Sequence, residues 1–354
     1  MKIGIPKETK VLEGRVGLIP QACKELVKSG HELYLQCGAG LLSGYADRQY
    51  ADLGVHLVKE AGDLYGMADL IIKVKEPAGE EVALLEDRHL LFCFLHLAAN
   101  AGLASSLQQI GLTALAFETV VSNGSLPLLA PMSDIAGRVA IQAGMHLLHQ
   151  PQGGRGILLG GVPATERGNV VIIGAGVAGG SAAIMAAGVG ANVTVFDQVR
   201  ERLEHARTIG SNITALYPYQ NVIEEELARA DLVIGAVLIP GARTPRIVTR
   251  DMIKNMKKRS VIIDISVDQG GCVETIRPTT YKDPTYITEE VLHFGVTNLP
   301  GAVPGTASQA LSAAILPYVE RLASEHWEKD PELADAVNLK AGNVVHPVVK
   351  EALA

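Results

Sequence analysis

Cysteine is scarce and scattered in this chain. The four present, Cys23, Cys37, Cys93 and Cys272, form no CxxC pair and no metal-ligand spacing. They read as reduced structural thiols and exclude a disulfide framework or a cysteine metal site. Positive charge is also short: 31 Lys and Arg stand against 38 Asp and Glu, a net charge of −7. With a pI near 5.8 and no long basic run, nucleic acid and anionic membranes are excluded as main partners. Long apolar runs are missing. The most apolar stretch, Leu90-Leu-Phe-Cys-Phe-Leu-His-Leu-Ala-Ala99, is too short to span a bilayer. The first residues, Met1-Lys-Ile-Gly-Ile-Pro-Lys-Glu, enter a strand-like run with no signal-peptide core, so a cytoplasmic location is expected.

What is there is ordinary for a globular chain, 48% hydrophobic and 19% charged. Glycine is frequent (37) and aromatics make up only 4%, which fits an α/β protein with tight turns and Ala/Val/Leu cores. At 354 residues, two domains are expected.

The most informative stretch is Asn169-Val-Val-Ile-Ile-Gly174-Ala-Gly176-Val-Ala-Gly179-Gly180, continued by Asn192-Val-Thr-Val-Phe-Asp197. An isolated GxGxxG is weak, but here a strand precedes it, a helix follows, and an acid comes about 20 residues on. Gly174 would permit the tight turn, Gly176 would admit a pyrophosphate, and Gly179 would let helix and strand pack closely. The diphosphate would rest on the N–H groups of the helix start, Val177 and Ala178. Asp197 would accept hydrogen bonds from the adenosine ribose and select NAD over NADP. Arg200 and Arg202 follow closely, and either would soften that preference. The competing readings are a glycine-tolerant loop and, for Asp197, a helix N-cap.

Around this unit, short apolar runs alternate with helical patterns. Strands are expected at 2–6, 32–36, 70–75, 90–96 and 113–118, then at 170–173, 192–197, 232–237, 261–265 and 293–296. A helix is marked by Pro20 near its start and Gly30 past its end, with similar patterns at 47–54 and 100–111. A long helix capped by Ser133 or Asp134 should run to about residue 150. Another is expected at 306–321, followed by a polar helical tail at 331–339 and 346–354. The alternation predicts parallel sheets covered on both faces. The tail is too short for a domain and should return to the first one. The expected fold class is therefore α/β, with two Rossmann-like parallel-sheet domains, the second inserted into the first, and an active-site cleft between them. The boundaries are a substrate and catalytic domain at 1–129 plus 303–354, and an NAD-binding domain at 130–302.

Polar residues stranded at the ends of apolar runs are the candidates for chemistry, since parallel sheets place sites there. Arg15 follows strand one, Lys75 ends Leu70-Ile-Ile-Lys-Val-Lys75, and His96 ends Leu90-Leu-Phe-Cys-Phe-Leu-His96. An arginine fork suits a carboxylate, a lysine holds or polarises a carbonyl, and histidine moves protons near neutrality. Singly, each reads more readily as something bland, Arg15 as a surface charge, Lys75 as a strand-end solubility residue and His96 as a half-buried histidine, but three on successive strand ends point to a site. Asp268 follows the run 261–267 in a glycine-rich loop and is either an acid/base group or an Asx-turn residue for the Gly270-Gly271 bend. Asn298 lies past another strand end, suited to the nicotinamide carboxamide or the substrate.

These residues carry a resemblance. Ile3-Gly-Ile-Pro-Lys-Glu8, Arg15, Lys73-Val-Lys75-Glu-Pro77, Phe94-Leu-His96-Leu-Ala-Ala99, Leu126-Pro-Leu-Leu-Ala-Pro-Met-Ser133, Gln152-Gly-Gly-Arg-Gly156, Asp231–Val237 and Val267-Asp268-Gln-Gly-Gly-Cys272 span nearly the whole chain. Together they resemble the L-alanine dehydrogenases, in the family shared with the NAD-binding subunit of proton-translocating transhydrogenase. QGGRG and VDQGGC favour the dehydrogenase branch. The resemblance implies NAD-dependent oxidative deamination of L-alanine to pyruvate and ammonia, and the reverse amination. It gives Arg15 and Lys75 to the substrate carboxylate or carbonyl, His96 and Asp268 to acid/base work, and Ser133 and Asn298 to the cofactor's surroundings. It also implies a homo-hexamer. One departure is Gly14, where relatives commonly carry a bulky aromatic, and a looser Arg15 loop is expected there. The alternatives are a transhydrogenase-like NAD(H)-binding subunit, a dehydrogenase of another small amino acid, and a non-catalytic NAD(H) sensor. A transhydrogenase would call for membrane spans in this or a partner chain, and a sensor would have no need of all four polar residues.

Overall fold

The computed structural model describes residues 1–238 and 244–353. Six strands come first: β1 (Lys2–Ile5), β2 (Glu32–Gln36), β3 (His56–Val58), β4 (Leu70–Ile72), β5 (Leu90–Cys93) and β6 (Thr113–Ala116). Seven more follow after a long helix: β7 (Asn169–Ile173), β8 (Asn192–Phe196), β9 (Ile213–Leu216), β10 (Leu232–Gly235), β11 (Val261–Asp264), β12 (Thr285–Thr288) and β13 (Val291–Phe294). The chain ends with β14 (Val337–Lys340) and β15 (Asn343–Val344). The helices among the described residues are α1 (Pro20–Lys28), α2 (Asp47–Ala51), α3 (Ala61–Met67), α4 (Ala101–Ile110), α5 (Ala130–Leu147), α6 (Val177–Gly188), α7 (Arg200–Ile209), α8 (Gln220–Arg229), α9 (Arg250–Lys254), α10 (Pro304–Leu322), α11 (Pro331–Asp335) and α12 (Pro347–Leu353).

The chain divides into two compact units, Met1–Met132 with Gly301–Ala354, and Ser133–Pro300. The breaks fall in the first turn of α5 and in the turn before α10, where sequence had placed them at 129/130 and 302/303. The first unit holds an eight-stranded sheet in the order β15-β14-β6-β5-β4-β1-β2-β3. All neighbours from β6 to β3 pair in parallel, while β14 and β15 are antiparallel additions at one edge. The second unit holds a seven-stranded sheet in the order β12-β13-β11-β10-β7-β8-β9, parallel except for the edge strand β12. Both are thus mixed at one edge rather than wholly parallel.

Burial explains the continuous apolar runs. Every residue of β4, β5, β10, β11 and β13 is buried, as expected for strands covered on both faces. In the second unit, Val170, Ile172, Val193 and Val195 point into one core, and Val171, Ile173 and Phe196 into another. This is the two-residue alternation of a strand lying between two helical layers.

Several elements depart from the sequence reading. β4, β5 and β6 end two or three residues early, so Lys75, His96 and Glu118 stand in the loops beyond the sheet. α5 begins at Ala130, which places Ser133 and Asp134 inside its first turns rather than at its cap, and it ends at Leu147. The tail 331–339 is helical only to Asp335, and Val337–Lys340 instead forms β14 against β6. Sheet-edge hydrogen bonds, invisible in a helical-looking pattern, decide that segment.

The turn after β7 shows why glycine is needed. Gly174 has φ of +100°, and a Cβ on Gly179 would lie 1.7 Å from the Gly174 carbonyl oxygen. At Gly176 a Cβ would meet nothing within 4 Å. Gly179→Ala should therefore cost about 3 kcal/mol through overpacking, whereas Gly176→Ala should change stability by under about 0.5 kcal/mol. Urea unfolding of both variants checks this, and equal losses would remove the close-packing role from Gly179.

Candidate functional site

In the first unit, β1, β4 and β5 are adjacent and parallel. The loops leaving their C-terminal ends carry Arg15, Lys75 and His96, so the three sequence candidates emerge at one edge of the sheet. Each loop is fixed by a carboxylate.

Beyond β4, the backbone N–H groups of Val74 and Lys75 donate to Glu8 at 2.7 and 3.3 Å. Glu8 lies beside the fully buried Lys73, whose Nζ is 3.5 Å from Glu8 and 2.7 Å from Glu81. Thr9 donates to Glu81 as well, at 2.8 Å. Burial alone would lower the Lys73 pKa, but Glu8 and Glu81 outweigh it and the ammonium is held more firmly than usual. Burial pushes the Glu8 carboxyl up despite Lys73, and the nearby Glu13 and Glu81 add to that. The two shifts thus have different leading causes, burial for Glu8 and the attraction of two acids for Lys73.

Arg15 is buried, and its guanidinium meets Glu13 with both prongs, Nε at 2.7 Å and Nη2 at 2.6 Å. Nη1 lies 3.2 Å from the Met132 sulfur. The Arg15 loop is not slack at Gly14. Its carbonyl accepts the Ser43 hydroxyl at 2.7 Å, and a Cβ there would lie 2.9 Å from Leu42 Cβ, with Pro304 also close. Ser308 and Ser312 of α10 accept the next backbone N–H groups, of Val16 and Ile19, each at 3.0 Å. The expected loosening is therefore absent, because neighbouring side chains fill the space an aromatic would take.

Beyond β5, His96 adopts a left-handed backbone, φ +49°, uncommon for a residue with a Cβ. Its N–H donates to Glu118 at 2.6 Å, and Leu95 N–H donates to the same carboxylate. The His96 imidazole is 41% exposed, with Nδ1 3.7 Å from Glu118 and its ring stacked on Phe94 at 5.9 Å and 4°. A half-exposed imidazole beside a carboxylate is open to solvent on one side and to a negative charge on the other.

In the second unit, the glycine turn leads into α6, and the open space at Gly176 fits a cofactor pyrophosphate over its first N–H groups. Val177 is exposed and Ala178 half-buried at that helix start. Asp197, just past β8, accepts Ala175 N–H at 2.7 Å and Val199 N–H at 2.8 Å, with Arg202 Nη1 3.5 Å away. The N-cap of α7 is Val199, so the capping alternative for Asp197 is corrected: it ties the glycine turn to β8 and turns its own loop. Ser133 is half-buried within α5, and the neighbouring Asp134 pairs with Arg138 at 2.7 Å. Asn298 takes a left-handed backbone at φ +61°.

Asp268 is exposed on a short 3-10 turn, Val267–Gln269. The bend at Gly270 and Gly271 is supported by Asp264 rather than by Asp268, which corrects the Asx-turn alternative. The sequence reading missed Glu8, Glu13, Glu118 and Asp264. Glu118 and Asp264 meet the same criterion that found Lys75 and His96, a polar residue closing an apolar run. Among the described residues no cluster of His, Cys, Asp and Glu could hold a metal ion, and no helix is long and apolar enough to cross a membrane.

Asp197→Ala should weaken NADH binding about tenfold, from loss of a charge-assisted bond worth about 1.5 kcal/mol, and should erode the preference for NADH over NADPH. Fluorescence titration with both nucleotides checks this, and unchanged discrimination would remove Asp197 from ribose recognition.

Comparison with known proteins is consistent across the chain. Residues 4–136 match the alanine dehydrogenase/PNT N-terminal domain, and residues 140–347 its C-terminal domain. The alanine dehydrogenase of Halomonas elongata is 45% identical over 99% of this chain and 96% of its own length. That of Bacillus subtilis is also 45% identical, over 97% and 90%. A solved L-alanine dehydrogenase superposes with a TM-score of 0.95 at 48% identity, covering 99% of both chains. A transhydrogenase from Sinorhizobium meliloti gives 0.85 at 26% identity, covering 98% of this chain and 99% of its own. The chain belongs to the alanine dehydrogenase/PNT family.

Proposed function

We propose that this protein is an NAD-dependent L-alanine dehydrogenase, converting L-alanine and water to pyruvate and ammonia and running in reverse as a reductive amination. The observation that carries the reading is the set Arg15, Lys75 and His96 at the ends of three adjacent parallel strands. It stands in a chain about 45% identical over nearly its full length to alanine dehydrogenases. The first unit is the substrate-binding and catalytic part, and the second is the cofactor-binding part.

NAD, when bound, accepts the hydride that leaves the substrate Cα. Gly174, Gly176 and Gly179 with the α6 N–H groups of Val177 and Ala178 would hold its pyrophosphate, Asp197 and Arg202 its ribose, and Ser133 and Asn298 its nicotinamide end. Arg15, already oriented by Glu13, binds the substrate carboxylate, and Lys75 holds the carboxylate or the developing carbonyl. His96 and Asp268 handle the protons. A water adds to the imine left by oxidation, giving a carbinolamine. One of the two groups takes the hydroxyl proton while nitrogen is protonated and leaves as ammonia, giving pyruvate. A small polar substrate and a half-exposed imidazole suit this proton traffic. The active form is a cytoplasmic homo-hexamer, a reading that rests on the family resemblance for the assembly and on the free cysteines for the compartment.

NADH should be oxidised in the presence of pyruvate and ammonium together, with little or no turnover on bulkier 2-oxo acids. Tight NADH binding without turnover on pyruvate would instead favour the sensor. His96→Ala should lower kcat at least about 100-fold with NADH affinity unchanged. A variant retaining a large share of turnover would remove His96 from acid/base work.

A further inference from the structure

The Asp268 loop has an unusual support. Asp264 closes β11, is 1% exposed, and has both carboxylate oxygens committed to the chain that follows it. Oδ1 accepts the N–H of Ser266 at 3.0 Å and its hydroxyl at 2.7 Å. Oδ2 accepts the N–H groups of Cys272 at 2.8 Å and Val273 at 3.0 Å. The two ends of the segment 265–273 are therefore pinned to one carboxylate, and the exposed Asp268 stands near its middle. Small residues make the approach possible. A Cβ on Gly271 would lie 2.7 Å from Oδ2, and one on Gly235 would lie 3.0 Å from Oδ1. Gly270 and Gly271 take φ of +95° and +73°, which lets the loop reverse.

Burying a carboxylate is costly unless its oxygens are satisfied. Burial pushes the Asp264 pKa up while the four bonds pull it down, and the net direction is upward. A hydrophobic residue would close a strand at less cost, so the acid is explained by the four donors it gathers rather than by packing.

We infer that Asp264 is a positioning residue that sets the place of Asp268 by clamping both ends of its loop. This rests on the reading above that Asp268 is an acid/base group. Asp264 touches no reacting atom in this scheme, and its effect passes through Asp268. Replacing it by asparagine turns one acceptor into a donor facing N–H groups, so the loop would shift while the residue's size is kept. Misplacing a catalytic group by about 1 Å costs about 100-fold in rate.

The test is a double-mutant cycle on the full-length protein, with Asp264→Asn, Asp268→Asn and both together, read as kcat, the KM for alanine and NADH affinity. Asp264→Asn should lower kcat about 30- to 100-fold, leave NADH affinity within about twofold, and add no further loss on top of Asp268→Asn. Full kcat in Asp264→Asn, or losses that multiply in the double variant, would overturn the inference. So would a fall in NADH affinity parallel to the fall in kcat, which would make Asp264 a support of the cofactor unit at large. Full activity in Asp268→Asn overturns instead the underlying assignment and is read from that variant alone. Should Asp264→Asn fail to fold, Ser266→Ala removes only one of the four bonds. It should lower kcat about fivefold, the cost of one net hydrogen bond of about 1 kcal/mol. That loss should vanish in the Asp268→Asn background, and its persistence there would overturn the inference equally.

Discussion

A parallel strand that stops leaves backbone N–H groups pointing along the sheet edge with no partner. In this protein buried or half-buried carboxylates meet them. Glu8 takes those of Val74 and Lys75, Glu118 those of Leu95 and His96, Asp197 that of Ala175, and Asp264 those of Ser266, Cys272 and Val273. Each exchange turns two expensive groups, a desolvated anion and an orphan donor, into charge-assisted bonds. The loops that leave the strands are thereby held in conformations that sheet pairing does not supply, including the left-handed backbone of His96. The candidate residues Lys75, His96 and Asp268 and the glycine turn all stand on such loops.

The same carboxylates set local charge. Glu8 and Glu81 flank Lys73 at the foot of the Lys75 loop, and Glu13 grips Arg15 with both oxygens. A guanidinium held this way has its fork direction fixed by the protein itself. The half-exposed His96 ring has Glu118 3.7 Å from its Nδ1. Positioning and electrostatics are thus supplied by one device, repeated at several strand ends.

Much of this was legible in advance. The βαβ unit could be read because Gly174 and Gly179 answer steric demands that leave their mark on sequence spacing, with Gly176 between them in a strand–turn–helix pattern. The strand series could be read because doubly covered strands are unbroken apolar runs. Less legible was the exact end of each strand. Lys75 and His96 continue apolar runs in the sequence but lie beyond the last ladder bond, because Glu8 and Glu118 draw the chain away. The tail 337–340 reads as polar helix, yet pairs with β6 since that edge was open. Gly14 suggested slack, where Leu42, Ser43 and Pro304 in fact close the space.

The sequence by itself determined the α/β class, the position of the dinucleotide turn and the residue types available for chemistry, since these follow from periodicity, from glycine's lack of a Cβ and from side-chain functional groups. Only the tertiary structure decided which acids support which loops. Glu118 is 22 residues from His96 and Glu8 is 66 from Val74. A hydrogen bond between such positions depends on which strands lie side by side, and that order, with β4 between β1 and β5, is fixed by packing rather than by any local pattern.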